Sequence, residues 1–342
     1  MDAAPWLDPL AVGGLLIGLA LGATIQASRF CLVAAVGNAR LMRDPRQVIG
    51  WLIALAIALA GTQFLEWQRL VEVAASGYRA PRLDWAGAAL GGLAFGAGAM
   101  LAGGCAARTL AGAGEGNLGH WLTLTVFALV GWLVLLGPGE PWRSALAART
   151  AVTLSGDASI AQALGLGIAN AAGAAILVML AAVLALRRRG GDASLAWPGA
   201  IVGVLVIAGW WVTGVIGPES MAATRPDSIS LAGPLARTAR LLATGERPAS
   251  LFGVALVAGT LLGAFAMALL RGQFRLVRPP RDQALHALVG GALMGAGGAF
   301  AGGCNIGHGL TGLAALSIKS LIVVIAIVAG MLAVLAWLNR ES

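Results

Sequence analysis

Nine apolar runs follow one another along this chain, each about as long as a bilayer is thick, and they constrain its fold before any motif is read. They lie at about 10–30, 47–65, 84–103, 118–136, 160–186, 196–216, 250–270, 284–303 and 316–338. Roughly 20 apolar residues in a helix cross a hydrocarbon core of about 30 Å, and inside lipid each backbone polar group must be paired within the protein. The runs are continuous rather than alternating, which excludes a β-barrel. Hydrophobic residues make up 58% of the 342 and charged residues 11%, about half the charge share of a soluble domain. The expectation is an all-α polytopic membrane protein, one integral domain over 1–342 with its surface in the lipid bilayer.

The net charge of +8 is not a nucleic-acid signal, because the arginines lie in connecting loops rather than on one face. They read as topology signals. Arg40, Arg43 and Arg46 follow the first run, Arg187, Arg188 and Arg189 the fifth, and Arg271, Arg275, Arg278 and Arg281 the seventh. With nine spans all three clusters fall on one side, which the positive-inside rule makes cytoplasmic. The N-terminus is then expected in the periplasm and the C-terminus in the cytoplasm. No basic region precedes the first run, so a cleaved signal peptide is not expected. The longest connections, 66–83, 137–159 and 217–248, fall outside; their mixed charges suggest short surface helices.

The chain also repeats itself. "GGLAFGAGAMLAGGC" (Gly91–Cys105) aligns without gaps on "GGALMGAGGAFAGGC" (Gly290–Cys304), with nine of fifteen positions identical. The copies close the third and eighth runs, and an odd number of runs makes them cross in opposite directions. That is the pattern of an inverted repeat with a pseudo-two-fold axis in the membrane plane, in which broken helices form the transport site near the midplane. The first half is expected over 10–136 and the inverted second half over 196–338. Residues 137–195 supply a connecting loop and a linking helix.

The chemistry-bearing residues gather at three corners. Gly91, Gly96 and Gly98 stand at small-residue spacing and read as helix-packing positions. Gly103–Gly104 and Gly302–Gly303 differ, since each pair stands where an apolar run stops, just before a thiol. A helix broken there frees backbone N–H groups to face an anion. Single cysteines in apolar helices are usually small buried hydrophobes; the symmetric placement of Cys105 and Cys304 argues for more. Cys31 lies in "QASRFCLVAA", where Arg29 either snorkels to the headgroups or faces a polar pathway. Asn305 and His308 follow Cys304, and His308 is read as a proton-linked group or a donor to an anion. Arg108 is read as an anion's charge partner or a plain loop arginine. Glu115, His120 and His286 carry no pattern of their own. Three cysteines without C-x-x-C give neither a disulfide framework nor a zinc site. No phosphate-binding loop is present, so no metal, cofactor or ATP coupling is expected and a passive pathway is the simpler reading.

"SRFC", "AGGCAARTLAG" and "AGGCNIGHGLTG" resemble the three cysteine motifs of the YeeE/YedE family of bacterial inner-membrane proteins. The resemblance runs from about Gly13 to Trp337. It implies a pseudo-symmetric bundle of nine spans with short re-entrant helices, and thiosulfate uptake along a central pathway lined by Cys31, Cys105 and Cys304. It also implies a cytoplasmic TusA-like sulfur carrier or rhodanese as partner. A neutral S–H is a weak donor that would hold the soft terminal sulfur of thiosulfate briefly, and weak multi-site binding is what conduction requires. Two other readings stay open: a membrane sulfurtransferase that forms a cysteine persulfide, and a transporter of another small sulfur or selenium species.

Overall fold

The computed structural model describes residues 8–188, 192, 194–219 and 225–341; Arg189 and the N-terminal residues used in the topology reading lie outside them. In chain order the helices are α1 (Pro9–Ser28), α2 (Leu32–Gly37, continued by a π turn Asn38–Met42), α3 (Arg46–Trp67), α4 (Trp85–Leu101), α5 (Ala106–Gly114), α6 (Leu118–Leu135) and α7 (Glu140–Thr150). Then come α8 (Ile160–Ala163), α9 (Ile168–Arg188), α10 (Ala196–Trp211), α11 (Ala232–Thr244), α12 (Phe252–Leu270), α13 (Arg281–Ala301), a π turn Gly307–Gly312, and α14 (Ile318–Glu341). Among the described residues nine stretches, built on α1, α3, α4, α6, α9, α10, α12, α13 and α14, are long and apolar enough to cross a membrane. The protein is all-α and polytopic.

Observed ends fall within a few residues of the apolar runs except at the fifth. That span begins at Ile168 rather than near 160, because Gly165 takes φ +65° and separates the short α8 from α9. The only strands among the described residues, β1 (Arg82–Leu83) and β2 (Val152–Thr153), pair antiparallel and tie the 66–83 and 137–159 connections together; nothing in the apolar pattern announces them. The acids and amides at span ends cap helices. Asp8 accepts from Leu10 N–H at 3.1 Å, Asp84 from Gly87 N–H at 3.0 Å, and Asn117 from Gly119 N–H at 2.8 Å, each satisfying a donor with no intrahelical partner.

Helix packing follows a rule. α1 packs on α12 and α3 on α10; α4 packs on α14 and α13 on α6; α4 and α13 pack on each other. Exchanging α1 with α10, α3 with α12, α4 with α13 and α6 with α14 returns the same set of pairs. The repeated stretch shows why these helices meet. A Cβ on Gly98 would lie 2.6 Å from the Gly290 carbonyl oxygen, and one on Gly290 2.7 Å from that of Gly98. Gly91 and Gly297 stand in the same mutual relation at 2.6 Å both ways. Numbers rise along one helix as they fall along the other, so α4 and α13 run antiparallel with backbones in contact, an approach that only glycine permits.

Large apolar side chains that remain exposed, such as Leu177, Val178 and Leu184 on α9, face outward where lipid replaces water. Exposed tryptophans cluster at span ends, with Trp67, Trp85 and Trp211 toward one end and Trp121, Trp197 and Trp337 toward the other, as expected of interfacial belts.

Candidate functional site

Four spans end in a break followed by a short helix, and each short helix starts behind a residue buried at the centre. Cys31 precedes α2, Cys105 precedes α5, Leu231 precedes α11, and Cys304 precedes the turn of helix that runs into Gly307–Gly312. All four are at most 3% exposed. Two of the four breaks are those expected from the glycine pairs. α4 stops at Leu101 with Gly103 at φ +70°, and α13 stops at Ala301 with Gly302 at φ +81°. The second member of each pair, Gly104 and Gly303, keeps negative φ; a Cβ on Gly303 would lie 2.9 Å from the His308 ring. At the first corner Arg29 itself takes the left-handed turn, at φ 55°.

These corners bring together residues far apart in sequence. The Cys31 and Cys105 sulfurs are 3.5 Å apart. The Cys31 N–H donates to Gln47 at 3.4 Å, and Gln47 donates to the Arg29 carbonyl at 3.3 Å. Cys304 makes no such thiol contact. Its sulfur accepts from the backbone N–H of Leu231 at 3.4 Å and of Gly307 at 3.5 Å. Between the two groups stands Asn305, wholly buried, with no oxygen or nitrogen partner for either polar atom of its side chain. Its carboxamide neighbours the Cys105 thiol. Buried amides without partners are rare because each such group costs about 1–3 kcal/mol.

His308 has both ring nitrogens engaged. Nε2 lies 3.2 Å from the Ala301 carbonyl oxygen and Nδ1 2.9 Å from the Ser320 hydroxyl. A carbonyl only accepts, so Nε2 carries the proton and Nδ1 accepts from Ser320. The ring also packs edge-on against Tyr78, with centroids 5.8 Å apart. His308 thus braces the helix break, serving the last carbonyl of α13, and has no donor left for an anion.

Beyond the thiols, toward the end that carries Ser28 and the α12–α13 connection, lies a polar plug. The Arg108 guanidinium sits 3.4 Å from Glu115 and 3.5 Å from Gln26, and Arg29 lies 3.6 Å from the same carboxylate. Gln26 donates to Gln273 at 3.4 Å. Arg29, with 62% of its side chain exposed, sits at the rim of this plug. Arg108 is held by an internal acid and an amide. Glu115, which carried no sequence pattern, is the hub.

Toward the opposite end lies a cavity of about 320 Å³. Its wall includes Tyr78, Ser230, Arg237, His308 and Lys319, with Asp227 the acid among them. Behind it, buried Arg79 is clamped bidentately to Glu66 at 2.6 and 2.9 Å. It also reaches Asp157 at 3.3 Å and donates to the Ala315 carbonyl. The 66–83 connection is thereby fixed to the segment following the π turn. Leu231, Tyr78 and Lys319 were not singled out from the sequence. For Leu231 a signal existed: "SISL" (Ser228–Leu231) stands before α11 as "SRFC" (Ser28–Cys31) stands before α2.

Among the described residues no three His, Cys, Asp or Glu side chains cluster as metal ligands. Compared with known proteins, the profile of a family described as sulphur transport matches residues 27–333. The chain belongs to the sulphur transport family. The matched range takes in Cys31, Cys105 and Cys304 with all of their flanking glycines. Among the curated relatives, the thiosulfate transporter TsuA of Escherichia coli (strain K12) is 27% identical over 321 residues, covering 88% of this chain and 87% of its own length. The thiosulfate transporter TsuA of Spirochaeta thermophila is 27% identical over 319 residues, covering 90% and 92%.

Proposed function

We propose that this member of the sulphur transport family carries thiosulfate inward across a bacterial inner membrane, through a route that passes its three thiols. The observation that carries the reading is a series of polar groups buried inside an apolar bundle. The cationic cavity leads to Ser230 and Cys304, then to Asn305, then to the Cys105–Cys31 pair, and then to Arg108 and Glu115. Relatives named as thiosulfate transporters supply the substrate. The paired helix contacts and the antiparallel glycine seam of α4 and α13 support an inverted repeat of 10–136 on 196–338, which puts the corners at the repeat interface.

Thiosulfate is a dianion with one soft sulfur, and the two ends of the route suit its two halves. Arg237 and Lys319 attract charge at the outer mouth, while S–H and backbone N–H groups replace water at the centre without holding the ion tightly. The interior is passive; the potential opposes entry by about 2.3 kcal/mol per charge per 100 mV, so consumption inside drives the flux. A sulfur carrier of the TusA type or a rhodanese at the arginine-rich inner face would supply that sink. The clusters at Arg40–Arg46 and Arg271–Arg281 make that face cytoplasmic, with the N-terminus in the periplasm and the C-terminus in the cytoplasm. Expression in a strain without other thiosulfate importers tests the reading. Growth on thiosulfate as sole sulfur source is expected from the parent and not from Cys105→Ala or Cys304→Ala; equal growth of all three would sink it.

A further inference from the structure

The Cys31–Cys105 contact is not needed for a weak-donor route, in which single thiols spaced along the path suffice. Two sulfurs at 3.5 Å, both buried and 74 residues apart in sequence, form a dithiol that chemistry can close. We propose that this pair is a reactive site for tetrathionate, the two-electron oxidised dimer of thiosulfate, which converts it to a disulfide and shuts the route. The proposal rests on the reading above only in that a sulfur oxyanion reaches the pair from the outer cavity.

The chemistry balances without another reagent. One cysteine, as thiolate, attacks a central sulfur of tetrathionate; the central S–S bond breaks and thiosulfate leaves with the electron pair. The cysteine is left as Cys–S–S–SO₃⁻. The second thiolate then attacks the cysteine sulfur of that adduct, forming the Cys31–Cys105 bond and expelling a second thiosulfate. Two thiols are oxidised, one tetrathionate is reduced to two thiosulfates, and two protons pass to water. The second step needs a thiol within reach of the first, which Cys31 and Cys105 provide for each other. The Cys304 sulfur instead contacts the backbone of Leu231 and Gly307.

The local backbone allows the closure. A disulfide bond is roughly 2 Å long, so the sulfurs must approach by about 1.5 Å. Cys105 follows Gly103, at φ +70° with no atom within 4 Å of where a Cβ would be, and Cys31 follows the left-handed turn at Arg29. The bond would join α2, which packs on α3 and α14, to α5, which packs on α1 and α12. It would also remove two S–H donors from the path.

The test uses purified full-length protein in detergent and in liposomes, with sodium tetrathionate as the probe. Expected are an intact mass lower by two hydrogens, a non-reduced peptide map joining Cys31 to Cys105, and two thiosulfates released per chain. Thiosulfate uptake should be abolished and then restored by a phosphine reductant. Cys304→Ala should still form the same bond, whereas Cys31→Ser should stop at the adduct on Cys105. A stable adduct on the parent, a bond to Cys304, or no reaction overturns the proposal. If the parent carries thiosulfate but does not react, only this proposal fails. If it reacts but carries none, the transport reading fails and the dithiol stands.

Discussion

Replacing Asn305 with leucine should make the protein more stable and worse at transport. The two side chains have nearly the same shape, so packing is conserved. What changes is a carboxamide whose Nδ2 and Oδ1 have no nitrogen or oxygen partner in a wholly buried site. Two such groups at about 1–3 kcal/mol each place the cost at about 2–6 kcal/mol. Part is returned by the soft contact with Cys105, so Asn305→Leu is expected to gain about 1–3 kcal/mol, a rise of a few degrees in midpoint. A passing anion would lose a hydrogen bond of the charge-assisted kind, about 1.5–3 kcal/mol, or roughly 10–150-fold in occupancy of that point on the route. Thermal unfolding of the detergent-solubilised protein, followed by tryptophan fluorescence with and without thiosulfate, gives the first quantity; liposome uptake gives the second. Thiosulfate should raise the midpoint of the parent and not of the variant. A variant that melts lower than the parent yet transports equally would show that Asn305 is structural and would falsify the reasoning.

Other perturbations follow from the same geometry. Arg79→Ala leaves the Glu66 carboxylate, Asp157 and the Ala315 carbonyl without their buried cation, and should cost about 3–5 kcal/mol, read as an early thermal transition. Gly98→Leu should prevent the close approach of α4 and α13, because a Cβ there already lies 2.6 Å from the Gly290 carbonyl oxygen; loss of monodisperse protein on size-exclusion chromatography is the expected sign. Desolvation in the cavity wall raises the Asp227 carboxyl above its usual range, against the opposing pull of the Ser228 N–H and the Arg237 charge. With the folded pKa above the unfolded one, the stability linked to that proton is present below about pH 4 and lost as pH rises through the raised value. Asp227→Asn should therefore melt higher than the parent at neutral pH, with the difference closing toward acid; a pH-independent difference contradicts the assignment.

The membrane fold was legible because its signals are local. A run of some 20 apolar residues specifies a span without reference to any other part of the chain, and Gly103 and Gly302 mark breaks because glycine is what positive φ selects. The repeat announced which two helices share a pattern, and their glycines meet in the folded protein. What could not be read was partner choice. The sequence places Cys31 no nearer to Cys105 than to Cys304, and only the packing of α1 and α5 brings the first pair together. Glu115 looked like any loop acid until Arg29 and Arg108 converged on it from two other segments. The bracing role of His308 is hidden for the same reason, since its partners, Ala301 and Ser320, appear only once the chain turns back at the break. Leu231 shows a subtler limit: a position equivalent to a cysteine corner but lacking the cysteine carries no chemical flag.

Uptake of labelled thiosulfate into liposomes holding only the purified protein tests the central claim most directly. The account predicts saturable uptake of intact thiosulfate by the parent, without ATP, accelerated by an inside-positive potential and lost in both Cys105→Ala and Cys304→Ala. Uptake that survives both substitutions, or that delivers sulfite in place of thiosulfate, would contradict it.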